Sequence, residues 1–337
     1  MNRQWLLTSR PEGNAGPANF TYTETALPNV GEGDILVETL YFGFDATQRS
    51  WMNDYETYVP PVALGAPMRS QAVGRVVQSR NPAFAEGDLV EGMMSWSDYA
   101  IIPADAWYPP RKLPDIDVPL SWHLGVLGVS GLTAYFGITE VARLAPGATI
   151  LISAATGANG SLVGPIAREC GAGLVIGIAG GPDKARWLVE RQGFDAAIDY
   201  RAGRLRDQIA EHAPDGIDCF FDNVGGETLD EVLLHMRKFG SIVVCGGMAA
   251  GYGKELPPGP RHYLQIIPRS VRMQGYLFTD YVDKFQEAAT RIMGWITAGK
   301  LNVAEEVVQG FDQLPINLPR LFSGKNPGKL VLKNERV

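Results

Sequence analysis

The stretch Thr149-ILISAATGANGSLVGPIAREC-Gly171 decides the fold of this 337-residue chain. Its first five residues, Thr149–Ser153, form an apolar run of the kind that becomes a buried strand. The residues from Gly160 onward have the length and spacing of a helix that ends at Gly171. Small residues in the turn between them let the backbone approach a pyrophosphate, and the helix N-terminus offers free N–H groups to it.

The glycine turn follows the dinucleotide-binding pattern G-x-G-x-x-G with one change. Ala155 stands at the first glycine position, and Gly157 and Gly160 occupy the other two. Alone, such a turn is weak evidence, because glycine turns are common between strands and helices. Its context is more informative, since a strand precedes it, a helix follows it, and a second strand comes about 20 residues later. The sequence therefore predicts a dinucleotide site.

The end of that second strand, Leu174–Ala179, indicates which dinucleotide binds. NAD sites place an acidic residue there to accept a hydrogen bond from the ribose 2′-hydroxyl. This chain instead has Gly180 and Gly181, followed by Lys184 in the next helix. Lys184 could be a solvated surface charge, but a cation is unfavourable in the first turn of a helix. A role in neutralising a 2′-phosphate is favoured, so we predict NADP rather than NAD.

The rest of the chain divides into two regions. From about residue 126, strand-like runs alternate with helix-length segments, including a predicted helix over Leu229–Lys238, which is typical of a parallel sheet with helices on both faces. Before that, short apolar runs broken by Gly and Pro indicate a β-rich barrel or sandwich. We predict one domain from residues 1–125 together with 305–337, and a second from residues 126–304.

Composition excludes several classes of function. Thirty Lys and Arg against 37 Asp and Glu give a net charge of −7, which argues against a nucleic-acid or anionic-membrane surface. The N-terminus lacks the long apolar run of a secretory signal, and no apolar stretch has the length of a membrane span. We expect a soluble protein of the cytoplasm that has neither a nucleic-acid nor a membrane partner.

Metal ligands and activated nucleophiles are not evident in the sequence. The candidates are scattered singly: Cys170, Cys219, Cys245, His123, His212, His235 and His262. No histidine lies at ligand spacing from a cysteine, and Ser130 does not complete a G-x-S-x-G motif. We therefore predict that the protein binds no metal.

Several short motifs, taken in order, resemble those of one known family. They are Tyr58-VPPVAL-Gly65, Gly131-LTAYF-Gly137, Gly157-ANG-Ser161, Phe221-DNVGG-Glu227, Val244-CG-Gly247 and Gly324-KNPG-Lys329. Their order and spacing resemble the zinc-free branch of the medium-chain dehydrogenases/reductases, which holds prostaglandin, alkenal double-bond and curcumin reductases. The resemblance covers nearly the whole chain.

The resemblance implies an α/β fold, with a GroES-like barrel beside a doubly wound Rossmann domain, and usually a homodimer. It also implies NADPH as cofactor and reduction of the C=C bond of α,β-unsaturated aldehydes or ketones. Hydride would go to the β-carbon, and a tyrosine or the cofactor ribose hydroxyl would stabilise the enolate oxygen. The Asp45-Ala46-Thr47-Gln48-Arg49 and Ser70-Gln71 segments depart from the family pattern. We expect both to lie on the substrate side.

The resemblance also implies roles for single residues. The cofactor-binding candidates are Gly157, Ala158, Asn159, Gly160, Lys184, Tyr200, Asn223, Cys245, Tyr276, Leu277, Phe278 and Asn326. Tyr252 resembles the family's candidate proton donor, although its segment, Cys245-GGMAAG-Tyr252, is one residue longer and Gly253 replaces an asparagine. The candidates for the substrate pocket are Tyr55, Tyr58, Trp96 and Tyr281. Each aromatic residue could equally be packing, and the two asparagines Asn223 and Asn326 could be turn residues.

Three other functions remain open at this point. The first is a zinc-free quinone oxidoreductase of the same superfamily. The second is a methyltransferase, which also has a glycine loop after its first strand but normally an acid at the second strand tip. The third is a non-catalytic protein that binds NADPH, because a fold alone does not establish an activity.

Overall fold

The structure is a computed structural model, and it describes residues 1–55, 57–251, 257–324 and 327–335. The chain divides into two compact units. The first unit comprises Met1–Gly125 and Glu305–Val337, and the second comprises Val126–Ala304.

The first unit is built mainly from strands. They are β1 (Asn2–Leu7), β2 (Phe20–Thr25), β3 (Ile35–Gly43), β4 (Arg69–Ser79), β5 (Leu89–Ser95), β6 (Tyr99–Ile102) and β7 (Arg111–Lys112). A short helix, α1 (Thr47–Ser50), lies between β3 and β4, and a 3₁₀ helix spans Leu120–Leu124.

The second unit alternates strands and helices. Its strands are β8 (Thr149–Ile152), β9 (Leu174–Ala179), β10 (Ala196–Asp199), β11 (Ile217–Asp222), β12 (Met236–Val244) and β13 (Arg272–Gly275). Its helices are α2 (Val129–Phe136), α3 (Gly160–Glu169), α4 (Pro182–Arg191), α5 (Leu205–His212), α6 (Gly226–Leu233), α7 (Ile266–Arg269) and α8 (Phe285–Thr297).

The C-terminal segment adds two strands and two short helices to the first unit. They are β14 (Glu305–Gln309), α9 (Leu314–Asn317), α10 (Arg320–Ser323) and β15 (Lys329–Lys333). Strand β15 pairs antiparallel with β3 and parallel with β14. Among the described residues the resulting mixed sheet has the order β14-β15-β3-β4-β5-β7, with β6 also paired to β3. One face of this sheet packs into a core that includes Phe42, Trp96 and Leu330.

The second unit has the sheet that the sequence predicts. In the part of the chain that the structure describes, its strands run in the order β10-β9-β8-β11-β12-β13, and every pair is parallel. Counted from β8 as the first strand, this is the 3-2-1-4-5-6 order of a Rossmann fold. The strand order reverses between β8 and β11, and in such sheets ligands bind beyond the carboxyl ends of the strands at that point. The predicted doubly wound sheet is confirmed.

One helix boundary differs from its prediction. The expected helix over Leu229–Lys238 ends at Leu233, and β12 begins at Met236. Met236 pairs with Ile217 of β11 and is 3 % exposed, so strand pairing and burial override helix propensity at this point.

Candidate functional site

The turn after β8 is held by a very close backbone approach. A Cβ atom placed on Gly160 would lie 2.4 Å from the carbonyl oxygen of Ala154, which is too close for any side chain. Ala154 itself has a φ of +47°, an unusual value for a residue with a side chain. The amide of Ala155 donates to the carbonyl of Ile178 in β9, at 3.0 Å. The turn is therefore fixed on both sides before α3 begins.

A buried carboxylate joins the ends of β8 and β11. Asp222 is 1 % exposed, and its Oδ1 accepts hydrogen bonds from Ser153 Oγ at 3.0 Å and from the amides of Val224 and Gly225 at 2.9 and 2.8 Å. Burial raises the pKa of Asp222, and these hydrogen bonds oppose that rise. Ser153 Oγ in turn accepts from the amide of Asn223, at 2.8 Å. Asp222 and Ser153 thus fix the backbone at which Asn223 begins its turn.

Three of the predicted cofactor residues meet at this edge of the sheet. The Nδ2 group of Asn159 donates to Asn223 Oδ1 at 3.0 Å and to Cys245 Sγ at 3.1 Å. Asn223 Nδ2 donates to the carbonyl of Ser153, at 2.7 Å. The buried Oδ1 of Asn159 has no hydrogen-bond partner among the described residues, so an acceptor is left for a ligand. Burial raises the pKa of the Cys245 thiol to about 12, which keeps it neutral.

The tips of β9 and β10 carry a cluster of positive charge. A Cβ atom on Gly180 would lie 2.9 Å from both Arg201 Nε and Tyr200 Cε1, so these two side chains lie over the glycine. Burial and the charge of Arg201 both lower the pKa of half-buried Lys184. Asp199 Oδ1 accepts from the amides of Gly181 and Arg201, at 2.7 and 3.0 Å, and fixes the backbone beneath them. Lys184 and Tyr200 were expected here from the sequence.

Arg201 is the residue that sequence reasoning missed. Its only sequence signal is that it follows Tyr200 directly after β10. Its position over Gly180 depends on the pairing of β10 with β9, which brings Asp199 opposite Ala179.

The three predicted cofactor residues that follow β13 differ in burial and in their contacts. Tyr276 donates its hydroxyl to the carbonyl of Thr133 at 2.5 Å, and burial raises its pKa well above the usual value. Leu277 is 41 % exposed, whereas the ring of Phe278 stacks on Phe285 with centroids 5.7 Å apart. Tyr276 is thus held in place by the backbone of α2, and Leu277 presents surface to solvent.

The four aromatic candidates for the substrate pocket occupy different environments. Tyr55 is 45 % exposed and its hydroxyl accepts from Asn53 at 2.8 Å. Tyr58 is 52 % exposed, yet desolvation of its hydroxyl end raises its pKa. Tyr281 stacks on Phe136, with centroids 4.9 Å apart. Trp96 is completely buried in the core of the first unit, with its ring centroid 5.1 Å from that of Phe20, and it offers no surface to a substrate.

Two predicted residues lie outside the described ranges. They are Tyr252, the candidate proton donor, and Asn326, one of the cofactor candidates. Both stay predictions from the resemblance.

Comparison with known proteins identifies the family. One family model, described as the N-terminal domain of oxidoreductase, matches residues 3–109, and a second, described as zinc-binding dehydrogenase, matches residues 159–294. An NADPH-dependent curcumin reductase of Escherichia coli is 37 % identical and covers 98 % of this chain and 96 % of its own length. A 2-alkenal reductase (NADP(+)-dependent) of Nicotiana tabacum is 40 % identical over 91 % of this chain and 89 % of its own.

Two further similarities point the same way. Prostaglandin reductase 1 of Rattus norvegicus is 35 % identical over 98 % of both chains. The crystal structure of CurA from Vibrio vulnificus superposes with a TM-score of 0.92 at 33 % identity, covering 100 % of this chain and 99 % of CurA, and CurA has also been solved in complex with NADPH. The chain belongs to the medium-chain dehydrogenase/reductase family. Its relatives place it in the branch of the curcumin, alkenal and prostaglandin reductases.

Within this family the described residues of the chain show neither a metal cluster nor a membrane span. No group of three or more His, Cys, Asp and Glu side chains in the described ranges is placed to hold a metal ion. In the same ranges no helix combines the length and the apolar character needed to cross a bilayer.

The site of this medium-chain reductase fits a phosphorylated dinucleotide on three counts. The glycine turn brings backbone close to where a pyrophosphate would lie, at the N-terminus of α3. Lys184 and Arg201 supply two cations at the strand tips, where a 2′-phosphate would lie. Asn159 leaves a buried acceptor at the reversal point of the sheet, unmatched by any described donor.

Proposed function

We propose that this chain is an NADPH-dependent reductase of the C=C bond of α,β-unsaturated aldehydes and ketones. The observation that carries the proposal is the pairing of the glycine turn with two cations at the strand tips. Arg201 lies beside Tyr200 over Gly180, and its charge lowers the pKa of Lys184. The names of the relatives, which include an NADPH-dependent curcumin reductase and an NADP-dependent 2-alkenal reductase, support the substrate class.

In this proposal each part of the cofactor has its own group of residues. Residues Ala158, Asn159 and Gly160 bind the pyrophosphate with backbone N–H groups. Gly157 lets the backbone approach it, because its own N–H donates to the carbonyl of Ala154 at 2.9 Å. Lys184 and Arg201 bind the 2′-phosphate with charge-assisted hydrogen bonds, and Tyr200 packs beside it. The residues assigned to the ribose and nicotinamide are Asn223, Cys245, Tyr276, Leu277, Phe278 and Asn326.

When bound, NADPH supplies the hydride that adds to the β-carbon of the substrate. Negative charge then develops on the carbonyl oxygen of the substrate, which becomes an enolate. We assign the hydroxyl of Tyr252 as the donor that stabilises this oxygen, with a ribose hydroxyl as the alternative, and we propose that no metal takes part. Tyr55, Tyr58 and Tyr281 remain proposed for the substrate pocket, and Trp96 is withdrawn because its ring is buried.

We also propose that the protein is a homodimer formed through the second unit. Strand β13 lies at the edge of the Rossmann sheet, where its outer backbone groups can pair with a second copy. The residues just before it expose large apolar side chains: Tyr263 and Leu264 are each 57 % exposed and Ile267 is 73 % exposed. Such a patch is typical of an interface.

The assignment of the 2′-phosphate site predicts a change in cofactor preference. Lys184→Ala and Arg201→Ala should each weaken NADPH binding by about tenfold or more, because each removes a charged hydrogen-bond donor. NADH has no 2′-phosphate, so its dissociation constant should change less than about twofold. Titration of reduced-nicotinamide fluorescence measures both constants. Arg204→Ala is the matched control, since Arg204 is an exposed neighbour paired with Asp207. Equal losses for NADH and NADPH would contradict the assignment.

The proposed reaction predicts loss of NADPH absorbance only when an enone or enal is present. We expect turnover of small alkenals and enones with NADPH, much slower turnover with NADH, and unchanged rates after treatment with a strong chelator. Turnover of quinones without turnover of enones would favour the quinone oxidoreductase instead. Binding of NADPH without turnover of either class would indicate a non-catalytic protein.

The role of Tyr252 predicts a selective loss of turnover. Tyr252→Phe should lower kcat by roughly 10²–10³, as removal of one donor to a developing oxyanion does. The dissociation constant of NADPH should stay within about twofold. Tyr22→Phe serves as control, because Tyr22 is an exposed tyrosine of the first unit to which no role is assigned. Retention of kcat in Tyr252→Phe would transfer the role to the ribose hydroxyl.

A further inference from the structure

Arg69, the first residue of β4, is a half-buried cation that has no counter-ion among the described residues. Its Nε is buried and has no hydrogen-bond partner in the described residues, while its NH2 group donates to the carbonyl of Pro60. The guanidinium lies over the ring of Trp51, 5.3 Å from the centroid. Within the described ranges no carboxylate forms an ion pair with it. Burial lowers the pKa of Arg69, as expected for a cation that lacks compensation.

One carboxylate of this region, that of Asp45, is already engaged. Asp45 forms an ion pair of 2.5 Å with Lys329, which is only 2 % exposed. Gln48 links the backbones of Asp45 and Arg69. Its Oε1 accepts from the amide of Asp45 at 2.8 Å, and its Nε2 donates to the carbonyl of Arg69 at 3.0 Å. The carboxylate of Asp45 is therefore paired with Lys329 and not with Arg69.

Other unsatisfied polar atoms accompany Arg69. Along β4, Ala72 and Val76 face the core of the first unit, so Arg69 and Gln71 share the opposite face. The Oε1 atom of Gln71 is buried, and the described part of the chain offers it no partner. The Nε1 donor of Trp51 is also buried and faces the hydroxyl of Tyr58, whose pKa it lowers. Both residues are more than nine-tenths buried. Since an amide can present either its oxygen or its NH₂ group, Gln71 can turn a donor toward a ligand.

Tyr58, which is proposed above for the substrate pocket, lies beside Arg69. Arg69 and Tyr58 lie close enough for the charge of each to affect the pKa of the other. The hydrogen bond from Arg69 to Pro60 also ties down the segment that carries Tyr58. Ser70, by contrast, is fully buried, because the alternation of β4 directs its side chain to the core. We expected both Ser70 and Gln71 on the substrate side, and only Gln71 remains a candidate for it.

We propose that Arg69, with Trp51 and Gln71, forms an anion subsite that selects unsaturated carbonyl substrates carrying a carboxylate. Buried charges are normally paired, and the planar fork of a guanidinium matches a carboxylate. The anionic groups of the cofactor are assigned to the second unit, at the glycine turn and at Lys184 and Arg201, whereas Arg69 belongs to the first unit. The choice of substrate rests on the proposed function.

The test compares an enone that ends in a carboxylate with its methyl ester. The wild-type KM should be about tenfold or more lower for the acid than for the ester. Arg69→Met should raise KM for the acid by about tenfold or more and change that for the ester less than about twofold, with kcat retained for both. Arg69→Lys keeps the charge but lacks the planar guanidinium, so its KM for the acid should lie between those of the wild type and Arg69→Met. Arg75→Met, an exposed arginine on the same face of β4, is the matched control and should alter neither.

The outcomes separate this proposal from the function on which it rests. Equal increases in KM for acid and ester in Arg69→Met would overturn the subsite. Weaker NADPH binding in Arg69→Met would also overturn it, because Arg69 would then bind a phosphate of the cofactor. If the wild type reduces neither compound, the proposed function fails. The subsite is then decided by binding of hexanoate and methyl hexanoate to the protein with NADP⁺, by calorimetry. The subsite is supported if the wild type binds hexanoate but not methyl hexanoate and Arg69→Met no longer binds hexanoate. It is overturned if the wild type does not bind hexanoate.

Discussion

The close approach of Gly160 to the carbonyl of Ala154 is the constraint on which the cofactor edge of the second unit depends. A Cβ atom on Gly160 would lie 2.4 Å from the carbonyl oxygen of Ala154, so no side chain fits there. Because Gly160 has none, α3 can begin directly against the end of β8. Asp222 then fixes the neighbouring strand end with three hydrogen bonds, from Ser153 and from the amides of Val224 and Gly225. The two together place Asn159 beside Asn223 and Cys245.

Both proposed anion sites contain cations that form no ion pair with the described residues, although the whole chain carries a net charge of −7. In the second unit, burial and the charge of Arg201 lower the pKa of Lys184, and a 2′-phosphate would offset that repulsion. In the first unit, the charge of Arg69 rests over Trp51 rather than against an acid. A local excess of cations on an acidic protein attracts specific anions while the surface as a whole repels polyanions.

Sequence reasoning worked best where burial leaves a simple pattern. The apolar runs before the glycine turn and before Gly180 became β8 and β9, because strands buried on both faces are continuously apolar. The missing acid at the tip of β9 is also visible in the sequence, and on it rests the prediction that Lys184 binds a 2′-phosphate. Arg201 could not be found in this way, since its place over Gly180 arises from the pairing of β10 with β9. Trp96 was misjudged because residue type does not reveal which face of a strand is inward. Its full burial beside Phe20 and Phe44 is a property of the packed unit.

The fate of a labelled hydride tests the central claim most directly. The protein is incubated with an enone and NADPH that carries deuterium at both positions of nicotinamide carbon 4, and the product is analysed by nuclear magnetic resonance. The account predicts a saturated ketone with deuterium on the β-carbon and a solvent hydrogen on the α-carbon. Deuterium on the carbonyl carbon of an allylic alcohol would contradict it, because the enzyme would then reduce the C=O bond rather than the C=C bond.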